Sequence, residues 1–478
     1  MASSAKPQTE FQRSITRIDA TALVVGTMIG SGIFIVSADM LRQVHAPGLM
    51  LLVWAISGVV TLMGALSYGE LAAMYPRAGG QYVYLREGMS PLFGYLYGWT
   101  LFTVIQTGTI AAVAVAFARF TSVFFPRLTP DVFIGTVVNL GSGPIQVGIS
   151  NQRILAILSV VVLTWINIRG VRAAALIQTT LTAVKALSLT ALILLGVTIG
   201  RNAAAIAANF GSGFWPAGGL TLALLPILGS AMVGSLFSMD SWNNVGFAGS
   251  ELKNPKTDLP LAMALGTLTV TALYLLANVA YLNVLPADAI ANAPQDRVGT
   301  AALQAMFGDP GLYLMAAAIM VSTFGCNNGL ILSGARVFYA MARDHLFFRS
   351  AGELHPRYQT PTRALVLQAV WTSVLCLSGT YSDLLTYVIA AQLLFYALTA
   401  ASLFTLRRRA PDAERPVKAF GYPIIPALYL LSTATLCVDL LFTQTRFAGI
   451  GLIIVALGVP VYFGWRMLTG AGGETRNA

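Results

Sequence analysis

Charge is what this sequence has least of. Only 10% of its 478 residues are Asp, Glu, Lys or Arg, less than half of the roughly 25% found in soluble domains. A cytosolic enzyme of one or two domains is excluded on that ground. A disordered chain is excluded as well, because 56% of the residues are apolar and the mean hydropathy is +0.72. Cysteine is also scarce: Cys326, Cys376 and Cys437 all lie inside apolar runs, so no disulfide framework is expected. Three scattered histidines, His45, His345 and His355, offer no metal-ligand spacing. No G-x-x-x-x-G-K-[ST] occurs, so the chain carries no P-loop ATPase of its own. Neither a metal nor any other cofactor is expected.

What the sequence does have is long apolar runs from one end to the other, the signature of an all-α polytopic membrane protein. A window of about 19 residues finds twelve spans, at 18–37, 48–75, 91–117, 153–168, 173–199, 220–248, 259–285, 311–340, 364–378, 384–406, 422–441 and 449–465. The polar opening and basic lead-in to the first run read as a start-transfer helix rather than a cleaved signal. An even number of spans puts both termini on one side. If that side is the cytoplasm, 21 of the 29 Lys and Arg fall there, seven fall opposite, and Lys185 lies inside a span. Basic residues favour the cytoplasmic side, so both termini are expected there, in a multi-pass protein of the cell (inner) membrane. The same sorting accounts for the net charge of +10 without a nucleic-acid partner.

Two spans carry breaks. The first holds Gly26, Gly30 and Gly32 at mid-membrane, each costing a helix interior about 1 kcal/mol relative to alanine. The sixth has Pro226, expected to bend its outer half, and then Phe237-Ser-Met-Asp-Ser-Trp-Asn-Asn244. Unpaired backbone in hydrocarbon is tolerated only where it lines a cavity or is buried in protein. The breaks stand five spans apart, and five spans invert the orientation of the second unit. Residues 18–199 and 220–406 therefore read as an inverted repeat, with an N-terminal segment 1–17, two further spans over 422–465 and a tail 466–478. Matched breaks in two inverted halves point to the central binding site of a transporter. Lys185 is the other anomaly. A lysine at the bilayer centre costs roughly 2.5–3.5 kcal/mol, and it stands about 12 positions, or roughly 18 Å, from its helix end. It must find polar partners inside the bundle.

The run Gly26-Thr-Met-Ile-Gly-Ser-Gly-Ile-Phe34 resembles the amino acid–polyamine–organocation superfamily. Tyr68-Gly-Glu-Leu71, Tyr75-Pro-Arg-Ala-Gly-Gly-Gln-Tyr-Val-Tyr84, Phe237 to Trp242, Glu251-Leu-Lys-Asn-Pro255, Tyr274-Leu-Leu-Ala-Asn-Val-Ala-Tyr281 and Ser322-Thr-Phe-Gly-Cys-Asn-Asn-Gly329 narrow the likeness to a bacterial member of its L-type amino acid transporter branch. The resemblance, over residues 15 to 465, implies a LeuT-type fold of five plus five inverted helices with two additional C-terminal spans. It also implies alternating access around unwound spans one and six, and a transporter rather than an enzyme, with no catalytic residues.

Helix dipoles and the resemblance agree on the chemistry expected at the breaks. The amides of Ser31 and Gly32 would hold a substrate carboxylate at the positive end of a half-helix. The carbonyls of Met28, Phe237 and Asp240 would accept from its ammonium. Phe237 matches the family's aromatic gate, and Asn243 its polar position. Val104, Ile105, Cys326, Gln392 and Leu393 are further lining candidates, which together favour neutral side chains. Asp240 reads as a cap for the second half of its span, or else as a counter-charge for a cationic substrate. Lys185 matches the lysine that the family places where sodium-coupled members bind sodium. Its ammonium is expected to bond the Gly26 carbonyl and the Ser322 hydroxyl, with Tyr274 in support. The expected function is sodium-independent exchange of neutral L-amino acids; the alternative is transport of cationic amino acids or polyamines by the same fold. The loop 125–150 has no cysteine, so the disulfide-linked heavy chain of animal relatives is not expected. The remaining partners are the small substrate and the lipid bilayer.

Overall fold

A computed structural model describes residues 13–139, 144–378 and 381–469. Most of the expected N-terminal segment (residues 1–12) and of the expected tail (residues 470–478) lies outside the described residues. Among these, nine helices are long and apolar enough to cross a membrane: Pro47–Met74, Pro91–Thr121, Asn151–Ile168, Leu176–Val197, Pro255–Val284, Asp309–Arg343, Val388–Arg409, Ile424–Thr443 and Ala448–Met467. They coincide with nine of the twelve predicted spans. The ninth span, Thr362–Cys376, is short, as the sequence suggests. The first and sixth are interrupted, which is why neither forms one long helix. The protein is a polytopic helical membrane bundle.

The first span opens with a capping box, in which the Thr16 hydroxyl accepts from the Asp19 amide and Asp19 accepts from the Thr16 amide. Helix Arg17–Met28 then stops. Ile29 turns away at ψ 88°, a short 3-10 turn covers Gly32–Phe34, and a second helix runs over Val36–Val44. The sixth span is helical over Leu225–Ser238, turns through Ser241 at φ +71° and resumes as a 3-10 stretch, Asn244–Glu251. Pro226 does not bend this span. It sits in the first helical turn, where a missing N–H costs nothing because that amide has no intrahelical partner.

Other features lie beyond the hydropathy pattern. The third span contains a π-helical turn at Leu101–Ile105. Its following loop forms an antiparallel hairpin of Ile134–Asn139 with Pro144–Ile149, an exception to the all-α expectation. Arg153 pins that hairpin by donating to the carbonyls of Gln146 and Gly148 at 3.0 and 2.8 Å. Arg336, one of the 21 basic residues assigned from sequence to the cytoplasmic side, lies within the span expected at 311–340 and is buried in helix Asp309–Arg343, paired with Glu251. The first half of the first span, Arg17–Met28, packs against the fifth, seventh and eighth, which buries its break inside the bundle. Large apolar side chains such as Leu187, Leu431 and Phe442 are exposed on the outside, where lipid would cover them.

Candidate functional site

Ending a helix in mid-membrane leaves carbonyls without their i+4 amides, and each must find a donor. At the first break all five carbonyls from Gly26 to Gly30 do so, from three different spans. Lys185 Nζ donates to Gly26 O and, at 2.9 Å, to Ile29 O. Cys326 Sγ reaches Thr27 O at 3.0 Å. The Tyr274 hydroxyl donates to Met28 O at 2.9 Å. Ser322 Oγ donates to Ile29 O and Gly30 O, both at 3.2 Å. Lys185 is 1% exposed, so its ammonium exchanges water for these oxygens. Its third contact is the Ser322 main-chain carbonyl at 3.4 Å, not the hydroxyl that the sequence reading expects. The hydroxyl is already donating to the break.

The two breaks touch. The Tyr274 hydroxyl also lies 3.2 Å from Ser238 O, so one side chain spans both interruptions. Thr27 Oγ1 reaches Ser241 O at 3.2 Å. A Cβ placed on Gly32 would stand 2.7 Å from Ser238 Cβ, well inside van der Waals contact. Glycine is thus required at 32 by the approach of the sixth span. A Cβ on Gly26 would collide with the side chains of Thr182 and Gln178 on the fifth span.

Asp240 is 6% exposed and accepts a hydrogen bond from the Tyr396 hydroxyl. It does not cap the second half of its span: Asn243 stands at the N-cap of Asn244–Glu251, which has no side-chain cap bond, because the turn carries Asp240 toward the tenth span. Asp240 has no basic partner among the described residues. It lines a cavity of about 20 Å³ with Gln392, Leu393, Met239, Trp242 and Tyr396. That is room for about one water, too little for an amino acid. Two buried acceptors at this end of the site, Gln392 Oε1 and Asn243 Oδ1, have no partner among the described residues.

The candidate residues therefore fall into two groups. Gly26, Met28, Lys185, Tyr274, Ser322 and Cys326 converge on the first break, beside Ser31 and Gly32. Asp240, Gln392 and Leu393 gather at the cavity. Phe237, the penultimate residue of the first half of span six, is 6% exposed. Val104 and Ile105 sit on the π-helical turn, both buried. Asn243 donates to Gln81 Oε1 at 2.7 Å, and Gln81 in turn donates to Phe395 O and Thr399 Oγ1. Neither Gln81 nor Tyr396 stands out in the sequence. Gln81 lies within a recognisable motif that lends it no chemistry of its own, and Tyr396 lies in an apolar helix where a tyrosine is unremarkable.

Comparison with known proteins assigns this architecture. The profile of the amino acid permease family matches residues 15–463. This chain belongs to the amino acid permease family. The permease is 31% identical over 472 residues to the large neutral amino acids transporter small subunit 2 of Rattus norvegicus, covering 97% of this chain and 82% of that protein. It is 30% identical to the serine/threonine exchanger SteT of Bacillus subtilis (strain 168), covering 95% of this chain and 97% of that protein. Identity to the Asc-type amino acid transporter 1 of Mus musculus is 28%, over 96% of this chain and 82% of the relative. These relatives place the permease in the L-type branch that its motif runs resemble, a branch of transporters rather than enzymes.

Proposed function

We propose that the permease is a sodium-independent exchanger of neutral L-amino acids, working by alternating access between the unwound middles of spans one and six. The observation that carries this reading is the convergence of the two breaks on Tyr274, which bonds Met28 O and Ser238 O together. The names of the relatives, with their neutral substrates and one exchanger, point the same way. On this reading the substrate carboxylate meets the amides of Ser31 and Gly32. The Gly32 N–H has no acceptor among the described residues, which suits that role. The ammonium meets the carbonyls of Phe237, Asp240 and Met28, the last only by displacing Tyr274 or the Gly30 amide that now occupies it. Phe237 closes the site from outside, and Asn243, Val104, Ile105, Cys326, Gln392 and Leu393 surround the side chain.

Lys185, with Gly26 and Ser322, takes the place of a sodium ion: a fixed positive charge held by carbonyl oxygens leaves no vacancy for a mobile one. Residues 18–199 and 220–406 act as the two inverted halves, with both termini in the cytoplasm and 422–465 outside the repeat. The permease works in the cell membrane without a disulfide-linked heavy chain.

Counterflow into proteoliposomes tests the reading. Vesicles preloaded with a neutral amino acid should accumulate the labelled one to the same extent with and without a sodium gradient. Steep dependence on sodium, or no counterflow with any neutral amino acid, overturns it. Gly32→Ala should lower counterflow by roughly ten- to a hundredfold, since overpacking of this kind costs about 1–3 kcal/mol. Gly32→Ala/Ser238→Gly should restore most of it, and failure of that rescue would place the defect elsewhere than in this contact.

One observation favours the cationic alternative, namely a buried carboxylate at Asp240 with a hydroxyl partner and no basic one. If that alternative holds, labelled arginine or putrescine is accumulated and Asp240→Asn abolishes its uptake while neutral substrates are spared.

A further inference from the structure

We propose that Gln81, from the loop between the second and third spans, is the gating residue that closes the substrate path on the side of the N-terminus. The chain leaves the second span at Met74 and starts a short helix, Gln81–Gly88. Loops between spans run over the surface as a rule, yet Gln81 is 1% exposed. The loop is docked on the second half of the sixth span, where Gly79 N donates to Phe247 O at 3.2 Å, and this carries the Gln81 amide in between two spans.

Where that amide is buried decides what it can do. The cavity has Met239, Asp240 and Trp242 of the sixth span on one wall and Gln392, Leu393 and Tyr396 of the tenth on another. Gln81 joins the same two spans just past it. Its Oε1 accepts from Asn243 Nδ2 at 2.7 Å, shortly after Asp240 in the sixth span. Its Nε2 donates to Phe395 O at 3.1 Å and to Thr399 Oγ1 at 3.0 Å, in the tenth. The Thr399 hydroxyl itself donates to Phe395 O at 2.8 Å, so it meets Gln81 as an acceptor. Thr399 stands two turns beyond Gln392, or about 10 Å along the helix. That is toward the end where Arg409 donates to Met89 O, and where the Ser14 amide meets Glu251 O, which is the end of the bundle that carries the N-terminus. Both the oxygen and the nitrogen of the buried amide are thus satisfied, and every bond is to one of the two spans that wall the cavity. The Tyr396–Asp240 bond crosses the same gap inside the cavity, and the Gln81 bonds cross it beyond. A substrate leaving toward this end has to part the sixth span from the tenth, and the three Gln81 bonds oppose that.

The proposal rests on the alternating-access reading above, but its test needs no transport. Cys326 lies at the first break, 2% exposed, with its thiol on Thr27 O, so its reactivity reports when the path opens. Sealed membrane vesicles of either orientation, carrying the full-length permease, are treated with a membrane-impermeant maleimide, and alkylation of Cys326 is followed by peptide mass. Gln81→Leu keeps the bulk of the side chain and removes all three bonds. It should speed Cys326 alkylation about tenfold or more from the face that bears the N-terminus and leave the other face unchanged, since each net hydrogen bond lost shifts such an equilibrium by roughly two- to tenfold. Thr399→Val removes one acceptor and keeps the shape. It should give a rise of roughly threefold from the same face, and it decides the matter if Gln81→Leu does not fold. An unchanged rate, a rise from the opposite face or an equal rise from both overturns the proposal. A lower thermal midpoint without faster alkylation does so too, since it marks Gln81 as a packing residue only. If the rise is seen while counterflow fails for every neutral amino acid, the gate stands and the exchange reading falls.

Discussion

Lys185→Met is expected to reduce counterflow by roughly thirtyfold or more. Methionine keeps the volume of the side chain and removes the charge, so the loss isolates the ammonium. That ammonium is the side-chain donor to Gly26 O, and it shares Ile29 O with Ser322. Orphaning a buried acceptor costs about 1–3 kcal/mol, with bonds to charged groups at the upper end. Ile29 keeps Ser322, so the loss falls mainly on Gly26, and about 2 kcal/mol corresponds to roughly thirtyfold. The outcome is read as initial counterflow rate per folded protein, with thermal unfolding measured alongside to separate misfolding from failure of the site. Partial rescue of Lys185→Met by high sodium would identify the vacated oxygens of Gly26, Ile29 and Ser322 as a cation site. Counterflow at the wild-type rate would remove Lys185 from the mechanism.

The second large effect is on stability. Arg336 and Glu251 are 3% and 1% exposed and face each other through two hydrogen bonds, one of them 3.2 Å from Arg336 Nη2 to Glu251 Oε2. Arg336 also donates to Leu332 O, and the Glu251 carbonyl accepts from the amides of Ser14 and Ile15 at 2.9 and 3.0 Å. The pair therefore joins the eighth span, the end of the sixth and the lead-in to the first. Breaking a buried pair from one side costs about 3–5 kcal/mol, because the remaining charge stays buried without compensation. Arg336→Met should lower the thermal midpoint of the purified permease by several degrees and shorten its lifetime in detergent. The double variant Glu251→Gln/Arg336→Met should recover most of that loss, since no uncompensated charge remains. If the two single losses add in the double variant, the pair is not coupled and the junction is held by other contacts.

Much of this protein is legible from hydropathy and charge. Nine spans coincide with helices to within a few residues because a bilayer-crossing helix needs about 20 apolar residues and little else. The two breaks are legible as well, since glycine at 26, 30 and 32 and the polar run from Ser238 to Asn244 violate what a lipid-facing helix tolerates. Lys185 is marked by cost alone. The Ser322 hydroxyl shows where that reasoning stops: a one-dimensional pattern says that the lysine needs oxygens but not which ones, and the carbonyl rather than the hydroxyl faces it. Asp240 shows the same limit. A carboxylate before a half-helix reads as a cap, yet the turn at Ser241 swings it toward Tyr396, 156 positions away. The hairpin and the π-helical turn at Val104 and Ile105 leave no apolar signal to find.

Composition and spacing alone determined the membrane environment, the number of crossings and the two places where helices must fail, because burial of backbone in hydrocarbon obeys rules that act along the chain. Tertiary structure alone decided which donors close those failures. Tyr274, Lys185, Ser322 and Cys326 come from three spans far apart in sequence. Their hydrogen bonds form only once the bundle has brought them within about 3 Å of the exposed carbonyls, and no local preference of the chain encodes that meeting.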